Sequence, residues 1–201
     1  MELDLATVAA SPQHADRAQY LIALCEAAPA GHTLEFGVWH GWSLSVISKR
    51  RPFVYGFDNF SGGLPEEWHL GPGNVREAGY FAWHDDWRKA SWPANCELID
   101  GLFAHTLPGW LEQHPDNVGL VHIDSDLYSS ARDVLTLLND RIVPGTVLAF
   151  DELTEWNPRL PYPNWREHEW RALNEWLQTN DRTVVPIGRT LEYQAAFQVT
   201  Q

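Results

Sequence analysis

Residues 34–43 read Leu34-Glu35-Phe36-Gly37-Val38-Trp39-His40-Gly41-Trp42-Ser43. An apolar run ends in a glycine-bearing turn, and residues 44–48 then start a helix, so this is a strand feeding a helix. The pattern is E-x-G-x-x-x-G and not G-x-G-x-x-G. Closely spaced glycines let a backbone reach a pyrophosphate. Here the second glycine comes later, and an acid stands two residues before the first. A carboxylate in that place suits a cationic or hydroxyl-bearing ligand better than a diphosphate. Taken alone, the segment is equally well explained as an ordinary strand-to-helix turn.

Outward from this unit the alternation continues. The pattern predicts a helix over 11–28, capped by Ser11 with Pro12 at its first position and ended by Pro29 and Gly31. Strands are predicted over 33–38, 53–57, 97–99, 118–123 and 146–150, and helices over 107–112, 129–140 and 165–179. Pro108 is expected near the start of its helix. The Gly-, Pro- and Trp-rich stretch 59–93 admits one helix around 75–87. Strands over 183–187 and 193–199 are joined through Gly188, a connection too short for a helical crossover, so this pair is expected to be antiparallel. Strands alternating with helices predict an α/β fold with a doubly wound, mostly parallel sheet, which binds ligands at the carboxyl ends of its strands.

Bulk properties narrow the class. A chain of 201 residues supports one full-sized core. The 27 acidic residues outnumber the 14 basic ones, for a formal charge of -13. Such a surface repels phosphate backbones, so nucleic acid is not expected as a partner, and neither is an anionic membrane. Cys25 and Cys96 are too few for a disulfide framework and read as thiols in a reducing cytoplasm. Residues 1–10 lack the features of a signal peptide, and no apolar run approaches the ~18 residues of a membrane span. The 11 tryptophans suit core, interface or ligand stacking alike.

The chemistry collects at the strand ends. The second strand closes on Asp58, placed to accept both ribose hydroxyls of an adenosine. The fourth ends His122-Ile123-Asp124-Ser125-Asp126, and the fifth Phe150-Asp151-Glu152. As neighbours, these two strands bring Asp124, Asp151 and Glu152 to one rim, where like charges call for a cation. Oxygen-only ligands favour Mg²⁺ over zinc. The plainer reading is that Asp126 or Asp151 caps the following segment. His168 and His122 are candidate general bases, although a structural histidine is the commoner role for either.

At this point the chain resembles the class I S-adenosylmethionine-dependent methyltransferases, and within them it is similar to the macrocin O-methyltransferase group. The resemblance rests on the 34–43 segment, G-F-D-N-F-S-G-G-L-P-E at 56–66, T-L-P at 106–108, H-I-D-S-D-L-Y at 122–128 and V-P-G-T-V-L-A-F-D-E at 143–152. It implies a seven-stranded Rossmann-like sheet with an antiparallel last strand, and a single methyltransferase domain over 1–201. It implies S-adenosylmethionine held by Glu35, Gly37, Trp39, Ser43, Asp58, Asn59, Phe60, Asp100, Gly101 and Asp124, with Glu35, Gly37 and Ser43 near the methionine part. It also implies a Mg²⁺ on Asp124, Asp151 and Glu152, with Glu152 standing where the family often has aspartate. Asp124 and His168 are the expected catalytic residues, and the acceptor is expected to be a small hydroxylated molecule of natural-product biosynthesis. Oligomeric state is left open, a homo-oligomer included. Two other readings compete. One is an S-adenosylmethionine-binding accessory module without turnover, which has no need of converging carboxylates. The other is a nicotinamide oxidoreductase, which the missing G-x-G-x-x-G disfavours.

Overall fold

The strand signals resolve into one large sheet and one small ribbon. The computed structural model describes residues 2–201. In chain order the elements are α1 (Leu5–Ala9), α2 (Arg17–Ala27), β1 (His32–Phe36), α3 (Trp42–Ser48), β2 (Val54–Asp58), β3 (Trp68–Gly71), β4 (Asn74–Arg76), β5 (Cys96–Asp100), α4 (Phe103–Gln113), β6 (Val118–Ile123), α5 (Tyr128–Leu138), β7 (Val147–Phe150), α6 (Glu169–Thr179), β8 (Val184–Arg189) and β9 (Ala195–Val199). The main sheet has the order β5-β2-β1-β6-β7-β9-β8. Its first five strands pair in parallel, and β9 runs antiparallel to both neighbours, as the short final connection required.

Period-2 alternation sorts each strand between two layers. Leu34, Phe36, Val121, Ile123, Leu148 and Phe150 face one side, where α4, α5 and α6 contribute Leu107, Val134, Leu135, Leu173 and Leu177. Leu120, Val147, Ala149 and Ala196 face the other, beneath Tyr20, Leu21 and Leu24 of α2 and Leu44 and Ile47 of α3. Glu35 and His122 share that second face by alternation. A smaller cluster of Leu64, Trp68, Leu127, Tyr162 and Trp165 joins the β3–β4 ribbon to the segment before α6.

Four local expectations are corrected. The first helix begins at Arg17, because Asp16 and not Ser11 caps it through Gln19 N–H. The Ser11 hydroxyl instead donates back to the Val8 carbonyl, closing α1. The helix expected over 75–87 is absent; its start lies in β4, which pairs antiparallel with β3 across the turn at Pro72-Gly73. Pro108 sits inside α4 and not at its start. A proline there removes one helical bond, and Ala104, whose carbonyl loses that partner, is solvent-exposed. Gly188 lies within β8 at a register shift, and residues 190–194 make the final turn.

Candidate functional site

Parallel strands end on one edge, so Asp58, Asp124 and Asp151 arrive together. A cavity of ≈ 340 Å³ opens there, within the range of small-molecule sites. Of the expected residues, Gly37, Trp39, Ser43, Asp58, Asn59, Asp124, Asp151 and Glu152 line it. Apolar walls come from Trp42, Leu64, Trp68, Phe81 and Phe103.

Gly37 makes this convergence sterically feasible. Its φ is +92°, and a Cβ there would lie 1.7 Å from the carbonyl oxygen of Asp124. Only glycine lets the end of β1 pass that close to the end of β6. The crossing is pinned by Gly37 N–H donating to Phe57 O at 2.9 Å and Asp124 N–H donating to Phe36 O at 2.8 Å.

Asp58 is held by the same loop. The N–H groups of Val38 and Trp39 donate to its Oδ2 at 2.7 and 2.6 Å. Both bonds use one oxygen, so Oδ1 remains for a ligand. Burial raises the carboxyl, and the backbone N–H groups of Trp39, Val38 and Asn59 pull it the other way. Three non-glycine residues of the lining carry positive φ: Trp39 at 45°, Phe81 at 70° and Asp126 at 63°. Strain of this kind gathers at functional sites.

Glu35 does not line the cavity. It is fully buried, and its Oε1 lies 2.9 Å from His122 Nδ1. The two residues are register partners on β1 and β6, which explains the pairing. His122 Nε2 in turn faces Asp151 at 3.7 Å. Burial works to lower the His122 pKa, but Asp151 and Glu35 outweigh it and push it up to about 10. Between Glu35 and Asp151, His122 is placed to offset their negative charge at the floor of the site.

Arg17, absent from the expected set, reaches the rim from the first turn of α2. Its Nη2 donates to Asp124 Oδ2, and its Nε lies 2.7 Å from Asp151 Oδ1. The guanidinium stands 5.2 Å from the Trp42 ring. Burial raises Asp151, yet Arg17 and His122 prevail and hold it below the usual carboxylate range. Asp124, by contrast, is raised by burial and by the charge of Asp151.

Two groups of donor atoms converge within 4.8 Å: Asp124 with Asp126 and Glu152, and Asp124 with Asp151 and His122. Asp151 also meets Arg17 and Gln194. Glu169 was not anticipated either. It is fully buried at the first position of α6, accepts from Ser125 N–H and Oγ–H at 3.1 and 3.2 Å, and accepts from Glu152 N–H at 3.2 Å. One carboxylate thus ties the loop after β6 to the loop after β7.

Four further expected residues lie off the cavity. Phe60 is buried and stacks on Trp87 at 4.2 Å. Asp100 pairs with Arg88 at 3.2 Å. The N–H of Gly101 donates to Asp58 O, so it braces the ligand-facing loop without entering it. His168 is tied to the His69 carbonyl through Nε2 at 3.1 Å, which places its proton on that nitrogen and the ring away from the rim.

Residues 34–153, from β1 to the loop after β7, match the model of a methyltransferase domain family. Among curated proteins no significant match is found. The structure is similar to that of CalS11, a calicheamicin methyltransferase, with a TM-score of 0.69, 22% identity, and coverage of 90% of this chain and 76% of that one. The O-methyltransferase NovP matches with a TM-score of 0.63 and 21% identity over 92% of this chain and 80% of its own. An O-methyltransferase from Bacillus cereus, solved with SAH, matches with a TM-score of 0.56 and 14% identity over 98% and 86%. Among the described residues no helix is long and apolar enough to cross a membrane. The chain belongs to the methyltransferase domain family and has the fold of the class I S-adenosylmethionine-dependent methyltransferases.

Proposed function

We propose that this chain transfers the methyl group of S-adenosylmethionine to an oxygen of a small hydroxylated acceptor, with Mg²⁺ assisting, and that residues 1–201 work as one methyltransferase unit. One observation carries the reading: a single cavity joins Asp58, with its unused carboxylate oxygen, to the acidic rim at the ends of β6 and β7. The Asp58 Oδ1 suits a ribose hydroxyl pair. Gly37, Trp39 and Ser43 supply the surface for the methionine part, and Asn59 continues the wall beside Asp58. NovP and the Bacillus cereus enzyme are O-methyltransferases, and CalS11 is a TDP-rhamnose 3'-O-methyltransferase of calicheamicin biosynthesis, which favours an oxygen acceptor and a natural product. The free thiols of Cys25 and Cys96 favour a cytoplasmic setting.

In the transfer, the acceptor oxygen attacks the methyl carbon in line while the carbon–sulfur bond breaks toward sulfur. The protein's part is alignment and charge. The strand-end crossing at Gly37 holds the two halves of the cavity in register. The acceptor proton passes to a carboxylate of the rim, while Asp124, with Oδ2 anchored by Arg17, would keep Oδ1 for the ion. The oxygen-only donors of the rim, with the buried Glu152 Oε2 lacking any partner, fit a hard divalent ion. Asp124 and Glu152 would hold it, and it would supply acidification of the acceptor hydroxyl. Asp151, whose carboxylate also comes within 4.8 Å of the Asp124 oxygen, would add a third oxygen donor.

Calorimetry with S-adenosylmethionine tests the reading. Asp58→Ala is expected to weaken binding about 10- to 100-fold, the worth of charge-assisted hydrogen bonds. Unchanged affinity in folded D58A would overturn the ribose assignment. Formation of SAH with hydroxylated acceptors, and its absence with any acceptor class, decides the transfer itself.

A further inference from the structure

We propose that the acceptor of this site is a flat-ringed hydroxylated compound that carries no anionic group. Its ring rests on a platform of Tyr80, Phe81 and Trp39 at the cavity mouth, and its hydroxyl faces the acidic rim. The inference rests on the methyl-transfer reading above and names the acceptor class for that same site.

The platform is built by the arm that follows β2. Leu64 N–H donates to Tyr80 O at 2.9 Å, Gly79 N–H to Leu64 O at 2.8 Å, and Trp83 N–H to Phe60 O at 2.7 Å. Residues 79–83 are thereby pinned against residues 60–64. Trp83 Nε1 also donates to the Trp39 carbonyl at 3.0 Å, which joins the arm to the loop after β1. Gly63, at φ +62°, permits the approach, since a Cβ there would lie 2.3 Å from Tyr80 O. The rings then meet in series: Tyr80 and Phe81 at 4.6 Å, Phe81 and Trp39 at 5.4 Å, both edge to face. Edge-to-face pairs leave ring faces uncovered for a further ring to stack on. Trp39 holds Asp58 through its backbone N–H, so its ring remains available.

Exposed aromatic surface is concentrated here. Among the described residues, Trp39, Trp42, Tyr80 and Phe53 are the exposed aromatic side chains. Trp39 and Trp42 line the cavity and Tyr80 abuts its lining, whereas Phe53 lies just before β2, at the other end of that strand. Apolar surface gathered at one opening marks a contact site. The cavity of ≈ 340 Å³ is at the low end for a site that holds one drug-sized ligand. The cofactor takes its share of that space, so part of the acceptor must lie outside, on the platform.

Charge settles which ring compounds fit. The lining sets Asp58, Asp124, Asp126, Asp151 and Glu152 against one permanent cation, Arg17, which Asp124 and Asp151 already engage. A divalent ion on the rim still leaves the acids in excess. Arg76, 5.1 Å from the Tyr80 ring, lies outside the lining. A phosphate or carboxylate on the acceptor would find no free guanidinium or ammonium there and would meet like charge.

The test uses the whole chain with SAH bound and three probes, read by calorimetry. They are 2-naphthol, decahydro-2-naphthol, which keeps the carbon skeleton without the flat ring, and 2-naphthyl phosphate. The parent is expected to bind 2-naphthol about 3- to 10-fold tighter than the saturated alcohol, the worth of a ring-on-ring contact. It is expected to bind the phosphate at least about tenfold more weakly than 2-naphthol. Phe81→Ala is expected to bring the ratio of the two alcohols to within about twofold. A ratio is read because general loosening of the fold moves both alcohols alike. Should F81A fold poorly, Tyr80→Ala is the reporter, its ratio expected to fall at least about twofold. Equal affinity for the two alcohols overturns the proposal, as does a phosphate that binds as tightly as 2-naphthol. So does a ratio unchanged in the folded variant, or no binding of 2-naphthol at millimolar concentration. SAH affinity of the parent reports separately on the methyltransferase reading: its absence would strike that reading, while the three probes remain measurable on the chain without cofactor.

Discussion

Replacing His122 with phenylalanine removes one imidazolium from a fully enclosed place and leaves two carboxylates behind. Glu35 Oε1 loses its partner at 2.9 Å, and Glu35 Oε2 has none to begin with. Asp151 loses the contact at 3.7 Å but keeps Arg17. Breaking a buried ion pair by removing one partner costs about 3–5 kcal/mol. Proton linkage gives a second route to the magnitude. The imidazole binds its proton near 6.5 in the open chain and near 10 when folded. At about 1.4 kcal/mol for each tenfold change in affinity, that difference is roughly 5 kcal/mol. Since a domain of this size loses about 2–4 °C for each kcal/mol, H122F should melt about 6–20 °C below the parent.

The sign of the pH dependence follows. A histidine whose folded pKa is raised contributes stability fully below pH 6.5 and loses it as pH rises through about 10. Between pH 7 and 10 the parent should therefore lose stability that H122F never had, and the two melting curves should converge. Denaturant unfolding at several pH values measures this. Adding Glu35→Leu to H122F should recover part of the loss, because the stranded carboxylate is then gone. Parallel pH profiles, or melting of H122F within about 2 °C of the parent, would refute the buried imidazolium.

Two further outcomes are expected. Gly37→Ala forces a Cβ onto the Asp124 carbonyl in a left-handed backbone, so it should destabilise by more than about 3 kcal/mol or fail to fold, as thermal melting would show. Glu169→Ala leaves the buried donors of Ser125 and the N–H of Glu152 without an acceptor and should cost about 2–5 kcal/mol, read by chemical denaturation, with Glu169→Gln losing less.

Much of the site was legible because strand tips announce themselves. Apolar runs ending in Asp58, Asp124 and Asp151 stand out in a sequence, and a parallel sheet must put such ends on one edge. Glu35 stands in the same kind of position but off the cavity, because register decides its surroundings. Opposite His122 it became half of a buried pair. Asp126 was weighed only as a cap, since nothing in the sequence reveals that its backbone turns left-handed. His168 looked available until its ring was seen bonded to His69 O.

By itself, then, the sequence determined the strand and helix alternation, the glycine that permits the crossing and the acids that meet at the edge. These follow from local periodicity and from the geometry of parallel strands. Tertiary structure alone decided which acids are free and which are neutralised. Arg17 meets Asp124 across 107 residues, and Glu169 meets Ser125 across 44. Such partners are chosen by how helices dock on the sheet, and no spacing along the chain encodes that docking.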